Sequence, residues 1–411
     1  MGEKFSANPV TGTGSLSVPV YTSPGRSGFG PQLSLSYDSG AGNGPFGWGW
    51  GLSIHSITRK TDRGLPLYLD ADESDVFILS GAEDLVPALE EIGGRWQQDT
   101  VPGRLGADEY TVHRYRPRVE GLFARIERWV LRRNGDTHGR SISRDNVTTV
   151  YGKTGESRIA DPADPSRVFS WLICESYDDK GNAIRYEYKA ENSQGIELSF
   201  VRERNRTAAT RSANRYLKRI KYGNRTPRQP DEDLSRRSDW MFEVVLDYGE
   251  HYTEDDRGRP TAVFVGDDRR RWGVRQDPVS SYRAGFEVRT CRLCRRVLVF
   301  HHFPDELGSP DLLVRSTEFA YNEGPIASFI MGISQSGYVR KSDGTYLKKS
   351  MPPLEFEYSR ATVRDEVREI DAQSIENLPS GDGGGAAASP LEAGCYRRPL
   401  CCLLLLGRRL E

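Results

Sequence analysis

Apolar and polar residues alternate along most of the chain. Gly14-Ser15-Leu16-Ser17-Val18-Pro19-Val20 and Pro31-Gln32-Leu33-Ser34-Leu35-Ser36-Tyr37 place Leu, Val or Tyr on one face and Ser or Gln on the other. That is the period of a half-buried strand. Pro19 has no N–H to give to a neighbour, so its strand is expected at an edge or a bulge. The intervening Ser23–Gly30, with Pro24-Gly25, reads as a loop. The same alternation predicts strands at Ser53–Thr58, Asp75–Ser80, Tyr110–Tyr115, Phe123–Leu131, Thr148–Tyr151, Val168–Tyr177, Ala183–Tyr188, Tyr216–Tyr222 and Met241–Tyr248. Later strands are predicted at Phe286–Val299, Ser316–Tyr321, Gly337–Val339 and Leu354–Tyr358.

Turn signals separate these runs: Asn134-Gly135, Lys180-Gly181-Asn182, Gly223-Asn224 and Ser342-Asp343-Gly344. Helical patterning is scarce. Ala208–Ile220 fits a short helix whose end overlaps a strand, and Arg225–Ser238 has no apolar face and reads as an exposed loop. Closely spaced strands with little helix between them predict an all-β fold, a large antiparallel sheet of stacked hairpins, and not a parallel α/β sheet. Several strands close with Tyr and turn on Gly, as at Tyr151-Gly152 and Tyr222-Gly223, but the spacing is irregular and predicts no strict solenoid.

Composition agrees with many strands and tight turns: 42 Gly and 19 Tyr against 4 Met in 411 residues. Lys and Arg (57) balance Asp and Glu (58), so no basic footprint of a nucleic-acid or anionic-membrane partner is visible. No apolar stretch follows a basic start at the N-terminus, and the longest apolar run near the end, Leu400–Leu406, is too short to span a bilayer. The expectation is synthesis in the cytoplasm without a classical signal peptide and no direct membrane insertion. Cys174, Cys291, Cys294, Cys395, Cys401 and Cys402 form no regular framework, which predicts no obligatory disulfide. From Gly381 the chain becomes low-complexity and then loses periodicity. Residues 1–379 are expected to form one β domain, and 380–411 a disordered or aberrant tail.

Three passages carry a family resemblance. The first runs from Gly12-Thr13-Gly14-Ser15-Leu16-Ser17-Val18-Pro19-Val20 through Pro24-Gly25-Arg26 to Asn43-Gly44-Pro45-Phe46-Gly47-Trp48-Gly49-Trp50. The second is Glu287-Val288-Arg289-Thr290-Cys291-Arg292-Leu293-Cys294-Arg295-Arg296-Val297-Leu298 with Phe300-His301-His302-Phe303, and the third is Met351-Pro352-Pro353-Leu354-Glu355-Phe356-Glu357-Tyr358. Together they resemble the N-terminal family of the Salmonella virulence plasmid B protein (SpvB), a domain that also opens the B component of insecticidal toxin complexes. The likeness runs from about residue 4 to 380.

The resemblance implies a shell of β-sheet that encloses a toxic partner polypeptide and is secreted as part of a toxin complex. It implies two protein partners, a C-type component with RHS repeats and a pore-forming A component. An alternative that it also implies is the N-terminal delivery half of an ADP-ribosylating toxin whose catalytic half is absent from this chain. The chain departs from the family pattern near Asn377-Leu378-Pro379-Ser380-Gly381, about where a β-propeller would begin. No transferase-sized segment follows.

Several clusters invite a chemical reading, each against a plainer one. Gly44–Gly51 alternates Gly with Phe46, Trp48 and Trp50. These rings would share one face of a strand, as a sugar-stacking platform in a carbohydrate-binding module or, on the favoured reading, as core. Cys291-x-x-Cys294 with His301 and His302 has the spacing of a zinc knuckle, but residues three apart on a strand face opposite sides and cannot share a metal. Asp70, Asp72, Glu73 and Asp75 lack the central Gly and distal Glu of a calcium loop, so a solvated loop is expected. Glu355-x-Glu357 echoes a transferase signature but sits in an alternating strand as two surface carboxylates. Arg269-Arg270-Arg271 and Arg292 with Arg295-Arg296 lack any accompanying nucleic-acid signature. No G-x-S-x-G is present, and His55, His113, His138, His251, His301 and His302 fall in no catalytic motif. The expectation is a chain with no catalytic, metal or cofactor residues, and so no enzyme.

Overall fold

The alternating pattern becomes strand after strand in the computed structural model of the chain, which describes residues 2–7, 13–80, 84–121, 123–254, 260–266 and 270–359. Among these the only α-helices are two single turns, Ala208–Arg211 and Pro304–Leu307. The fold is all-β, as expected. Met1–Glu355 forms one compact unit, and the unit that follows, Phe356–Glu411, is described only at 356–359. The predicted tail at 380–411 lies outside the described residues.

Eight strands pair antiparallel in a closed ring. Ser56–Arg59 pairs with Phe77–Leu79, then Asp84–Pro87, Asp108–Pro117, Arg125–Leu131, Thr137–Ile142, Thr148–Tyr151 and Val168–Tyr177, which returns to Ser56–Arg59. Closure removes free edges, and a ring of this size is just wide enough for side chains to fill. Ile57, Phe77, Leu85, Tyr115, Ile126 and Trp171 line the space left, about 20 Å³. Phe77 meets Tyr115 and Trp171 edge-on, with centroids 5.9 and 5.7 Å away.

The last ring strand serves twice. Ser170–Leu172 pairs with the ring strand Ser56–Arg59, whereas Glu175–Tyr177 pairs with Ala183–Ala190. From there an open antiparallel sheet continues through Arg215–Asn224, Trp240–Asp247, Arg296–His301, Leu312–Glu323, Ser328–Arg340 and Tyr346–Ser350. A smaller N-terminal sheet of Lys4–Ala7, Gly14–Val20, Leu33–Asp38 and Trp50–Leu52 lies against it. Phe46 packs on Phe319 at 5.9 Å, the Tyr222 hydroxyl donates to Ser23 C=O at 2.7 Å, and Gln335 Nε2 donates to Pro19 C=O at 2.9 Å. Lys4–Ala7 reaches only to Ser17 of its neighbour, which leaves Pro19 on the locally unpaired edge that its missing N–H demands.

Four details depart from the pattern. The predicted strand Phe286–Val299 is broken into Val288–Thr290 and Arg296–His301, because residues 291–295 leave the ladder to bond elsewhere, Cys294 N–H donating to Pro45 C=O at 2.8 Å. Gly223-Asn224 is no turn: the strand runs on to Asn224, and Gly223 takes φ +69° inside it, where a Cβ would sit 2.5 Å from the Phe242 ring. Arg225–Ser238 is not wholly exposed, since Leu234 is fully buried with Ala183 and Trp240. Strands at 84–105 and at Thr137–Ile142 were not anticipated.

Candidate functional site

In the Gly44–Gly51 run, Gly47 and Gly49 adopt φ +84° and +77°, a region that favours glycine. An added Cβ would lie 2.5 Å from Ser328 O at Gly47 and 2.5 Å from the Tyr37 ring at Gly49. These kinks break the alternation, so the three rings do not share a face: Phe46 and Trp50 are buried and Trp48 is 41% exposed. The expected common face is thereby corrected. The run is locked from outside by Arg275, fully buried, which donates to Gly44 C=O at 2.6 Å and Asn43 Oδ1 at 2.6 Å while paired with Asp277.

The acidic loop at 70–75 is not the solvated loop expected. Arg59, whose side chain is 1% exposed inside the ring, donates to Asp70 at 2.6 Å and Asp75 at 2.7 Å, and stacks over Tyr68, Phe77 and Trp171. Arg128 meets Glu73 at 2.5 Å, and Glu73 also accepts from the Tyr115 hydroxyl at 2.6 Å. Three of the four acids are thus ligands of two arginines that point into the ring, and the loop corks one end of it. A buried guanidinium is tolerated only with such partners.

Beneath the open sheet lies a second set of buried ions. Arg292 and Glu191, both without side-chain exposure, pair at 2.6 Å. Glu203 bridges Arg211 and Arg289, Lys218 meets Glu250 at 2.6 Å, and Arg296 meets Asp247 at 3.0 Å. Arg295 pairs with Glu323. Each arginine of the basic run is therefore paired with a carboxylate, Arg292 fully buried and Arg295 and Arg296 partly exposed. Arg269 lies outside the described residues, Arg271 is exposed and Arg270 reaches Glu250 C=O at 3.5 Å.

Cys291 and Cys294 are buried thiols, Cys291 pushed up to about 12 by burial and Cys294 higher for the same reason. They sit in the break between two strands, so the opposite-face argument does not apply to them. The histidines bond elsewhere. His301 Nε2 lies 2.7 Å from Ser23 Oγ, and His302 lies 3.2 Å from Glu243 and 2.9 Å from Asp311. Among the described residues no group of three or more His, Cys, Asp and Glu is placed to hold a metal. Glu355 and Glu357 are exposed and alternate with half-buried Leu354, Phe356 and Tyr358, the surface placement expected.

The Ser23–His301 contact escaped the sequence reading because the partners are 278 residues apart. It is half of a relay: among the described residues no carboxylate bonds the other ring nitrogen to orient it. Burial also lowers the His301 pKa. His138 and His251 are held at about 3 chiefly by burial, so both are neutral. His138 stacks on Trp129 at 5.8 Å, and His251 Nδ1 lies 3.1 Å from Val263 C=O. Ser23–His301 braces the N-terminal segment against the open sheet, while His138 and Trp129 pack across adjacent strands of the ring.

Comparison with known proteins places this architecture. A family model described as Salmonella virulence plasmid 65kDa B protein matches residues 8–303. The chain belongs to the Salmonella virulence plasmid 65kDa B protein family. Curated members include mono(ADP-ribosyl)transferase SpvB of Salmonella typhimurium and of Salmonella dublin, each 39% identical over 335 residues, or 79% of this chain and 54% of the relative. The chain spans about half the length of the curated relatives it matches. The solved N-terminal domain of effector protein SpvB from Salmonella typhimurium strain LT2 is 38% identical with a TM-score of 0.67, covering 78% of this chain and 100% of that domain. The family fold also recurs inside larger assemblies. The crystal structure of TcdB2-TccC3 matches 92% of this chain and 18% of that one, at 32% identity and a TM-score of 0.76. The Photorhabdus luminescens Tc holotoxin pore matches 87% of this chain and 16% of that one, at 34% identity and a TM-score of 0.71.

Proposed function

We propose that this chain is a non-catalytic wall segment of a secreted bacterial toxin complex, forming part of the β-sheet shell that encloses and helps deliver a toxic partner polypeptide. The observation that carries the reading is the match of 92% of this chain to a small part, 18%, of a far larger toxin-complex chain. A segment of that kind contributes surface and rigidity. The internal ion pairs and glycine-locked kinks fit this role, since they tie distant segments of the chain together. The partners in this reading are a C-type RHS-repeat component, enclosed by the shell, and a pore-forming A component.

The test is co-expression of the full chain with a C-type component of the same organism. A stable complex in which the C-type component's toxic segment resists added protease is the expected result. Failure of the two to co-purify, or NAD-dependent modification of a protein by the purified chain, overturns the reading. A second reading is favoured by the complete coverage of the solved SpvB N-terminal domain: the delivery half of an ADP-ribosylating toxin. The coding DNA beyond codon 380 separates the two, through propeller-like repeats or a transferase motif.

A further inference from the structure

The open sheet ends in the hairpin of Ser328–Arg340 and Tyr346–Ser350, and among the described residues no strand has a register with the outer side of the latter, since Leu354–Glu355 pairs with Ser328–Arg340. Two backbone bonds establish which groups face outward. Lys341 N–H donates to Thr345 C=O at 2.7 Å, and Met351 N–H donates to Gln335 C=O at 2.9 Å. Backbone groups alternate direction along a strand, so residues 345, 347, 349 and 351 bond inward. Tyr346, Lys348 and Ser350 therefore turn their N–H and C=O away from the sheet.

Beside this edge lies an open groove of about 580 Å³. Its position follows from the register. Arg315 stands opposite Gly337, which stands opposite Lys349, and Val339 stands opposite Leu347, so all share one face. Gly337 gives the groove its depth, since a Cβ there would meet nothing within 4 Å. Val339 is 65% exposed, and Leu347 and Met351 are each 48% exposed. The two charged residues lining the groove are the cations Arg315 and Lys349, and no carboxylate lines it. Lys348, on the opposite face, is already held by Glu318 at 2.7 Å.

Edge lysines ordinarily discourage strand pairing. Here they stand next to outward-facing backbone groups and an uncovered apolar groove, so they select among strands instead of refusing all of them. We propose that this edge accepts one extended strand of a second polypeptide, bearing apolar and acidic side chains on a single face. The added strand bonds Tyr346, Lys348 and Ser350 through its backbone, sets its apolar residues against Val339, Leu347 and Met351, and sets its carboxylates against Arg315 and Lys349. The inference rests on the edge and groove, not on encapsulation, and its test needs no toxin component, so either can fail alone.

The probe is a nine-residue peptide with Thr at odd positions and Val and Glu alternating at even positions, titrated against the full chain by fluorescence anisotropy. A second peptide carries Lys for Glu. The Glu peptide is expected to bind at least tenfold more tightly than the Lys peptide, and less tightly as salt is raised. Lys348→Pro removes an outward N–H without removing a bond within the sheet and should abolish binding, whereas Lys348→Ala keeps the N–H and should preserve it. Arg315→Glu with Lys349→Glu, both at exposed positions, should reverse the preference to the Lys peptide. Absence of binding by the Glu peptide, equal binding of both peptides, or equal binding by the Pro and Ala variants overturns the proposal. Should Lys348→Pro fail to fold, the charge-reversed variant decides alone: an unchanged preference overturns it.

Discussion

At the scale of single residues, the interior carries an unusual load of charge, and its stability depends on each partner being present. Arg292→Ala would strand Glu191 without its cation in a site closed to water. A loss of about 3–5 kcal/mol in denaturant unfolding is expected, with partial recovery when Glu191→Gln is added. Protons act on the same interior. His138 and His251 keep folded pKa values of about 3, below the usual 6.5, because burial disfavours their charged forms. The unfolded chain therefore takes up protons before the native one. Stability is full above pH 6.5 and declines as pH falls toward 3, by about 1.4 kcal/mol per pH unit for each histidine. Unfolding curves at pH 7 and pH 5 check this, and His138→Gln with His251→Gln should flatten the difference. His302 works in the opposite sense. Burial lowers its pKa, but the hydrogen bond and charge pairing with Glu243 outweigh burial and hold the pKa above 6.5, so its contribution is full below 6.5, is lost as pH rises through the folded value, and offsets part of the decline between pH 7 and pH 5.

At the scale of elements, the loop across the ring end is held by salt bridges more than by apolar packing, since Leu65, Leu67 and Leu69 are exposed. Arg59→Gln should leave the far-ultraviolet dichroism of the sheets intact while opening residues 60–76 to limited proteolysis, read by mass spectrometry of the fragments. How far such elements could be read from sequence depended on locality. Thr148–Tyr151 and Val168–Tyr177 have the bounds that the sequence predicts, because short runs rich in β-branched and aromatic residues mark them, although Val168–Tyr177 is buried on both faces at 173–176. Leu89–Ile92 and Arg95–Gln98 were missed, because that hairpin is exposed on nearly all sides and has no apolar stripe to betray it. Trp48 was misassigned because period two assumes a continuous strand, and Gly47 and Gly49 interrupt it. The arginine–carboxylate clusters were invisible for a different reason. Glu191 and Arg292 are 101 residues apart, and nothing local in either segment announces the other.

At the scale of the whole Met1–Glu355 unit, Val168–Tyr177 belongs to both the closed ring and the open sheet. Neither part has an independent boundary at that strand, so the two should unfold in one transition. In the one unsubstituted chain, pulsed hydrogen exchange of ring peptides around Trp171 and of open-sheet peptides around Trp240 should report the same urea midpoint. Separated midpoints would show two cooperative units. The ring itself carries a further consequence for traffic. Its free interior of about 20 Å³ has room for about one water, and one mouth is stoppered by Asp70, Glu73 and Asp75 on buried arginines. The barrel is a filled pillar and no conduit, and what it offers to other molecules is its outer wall.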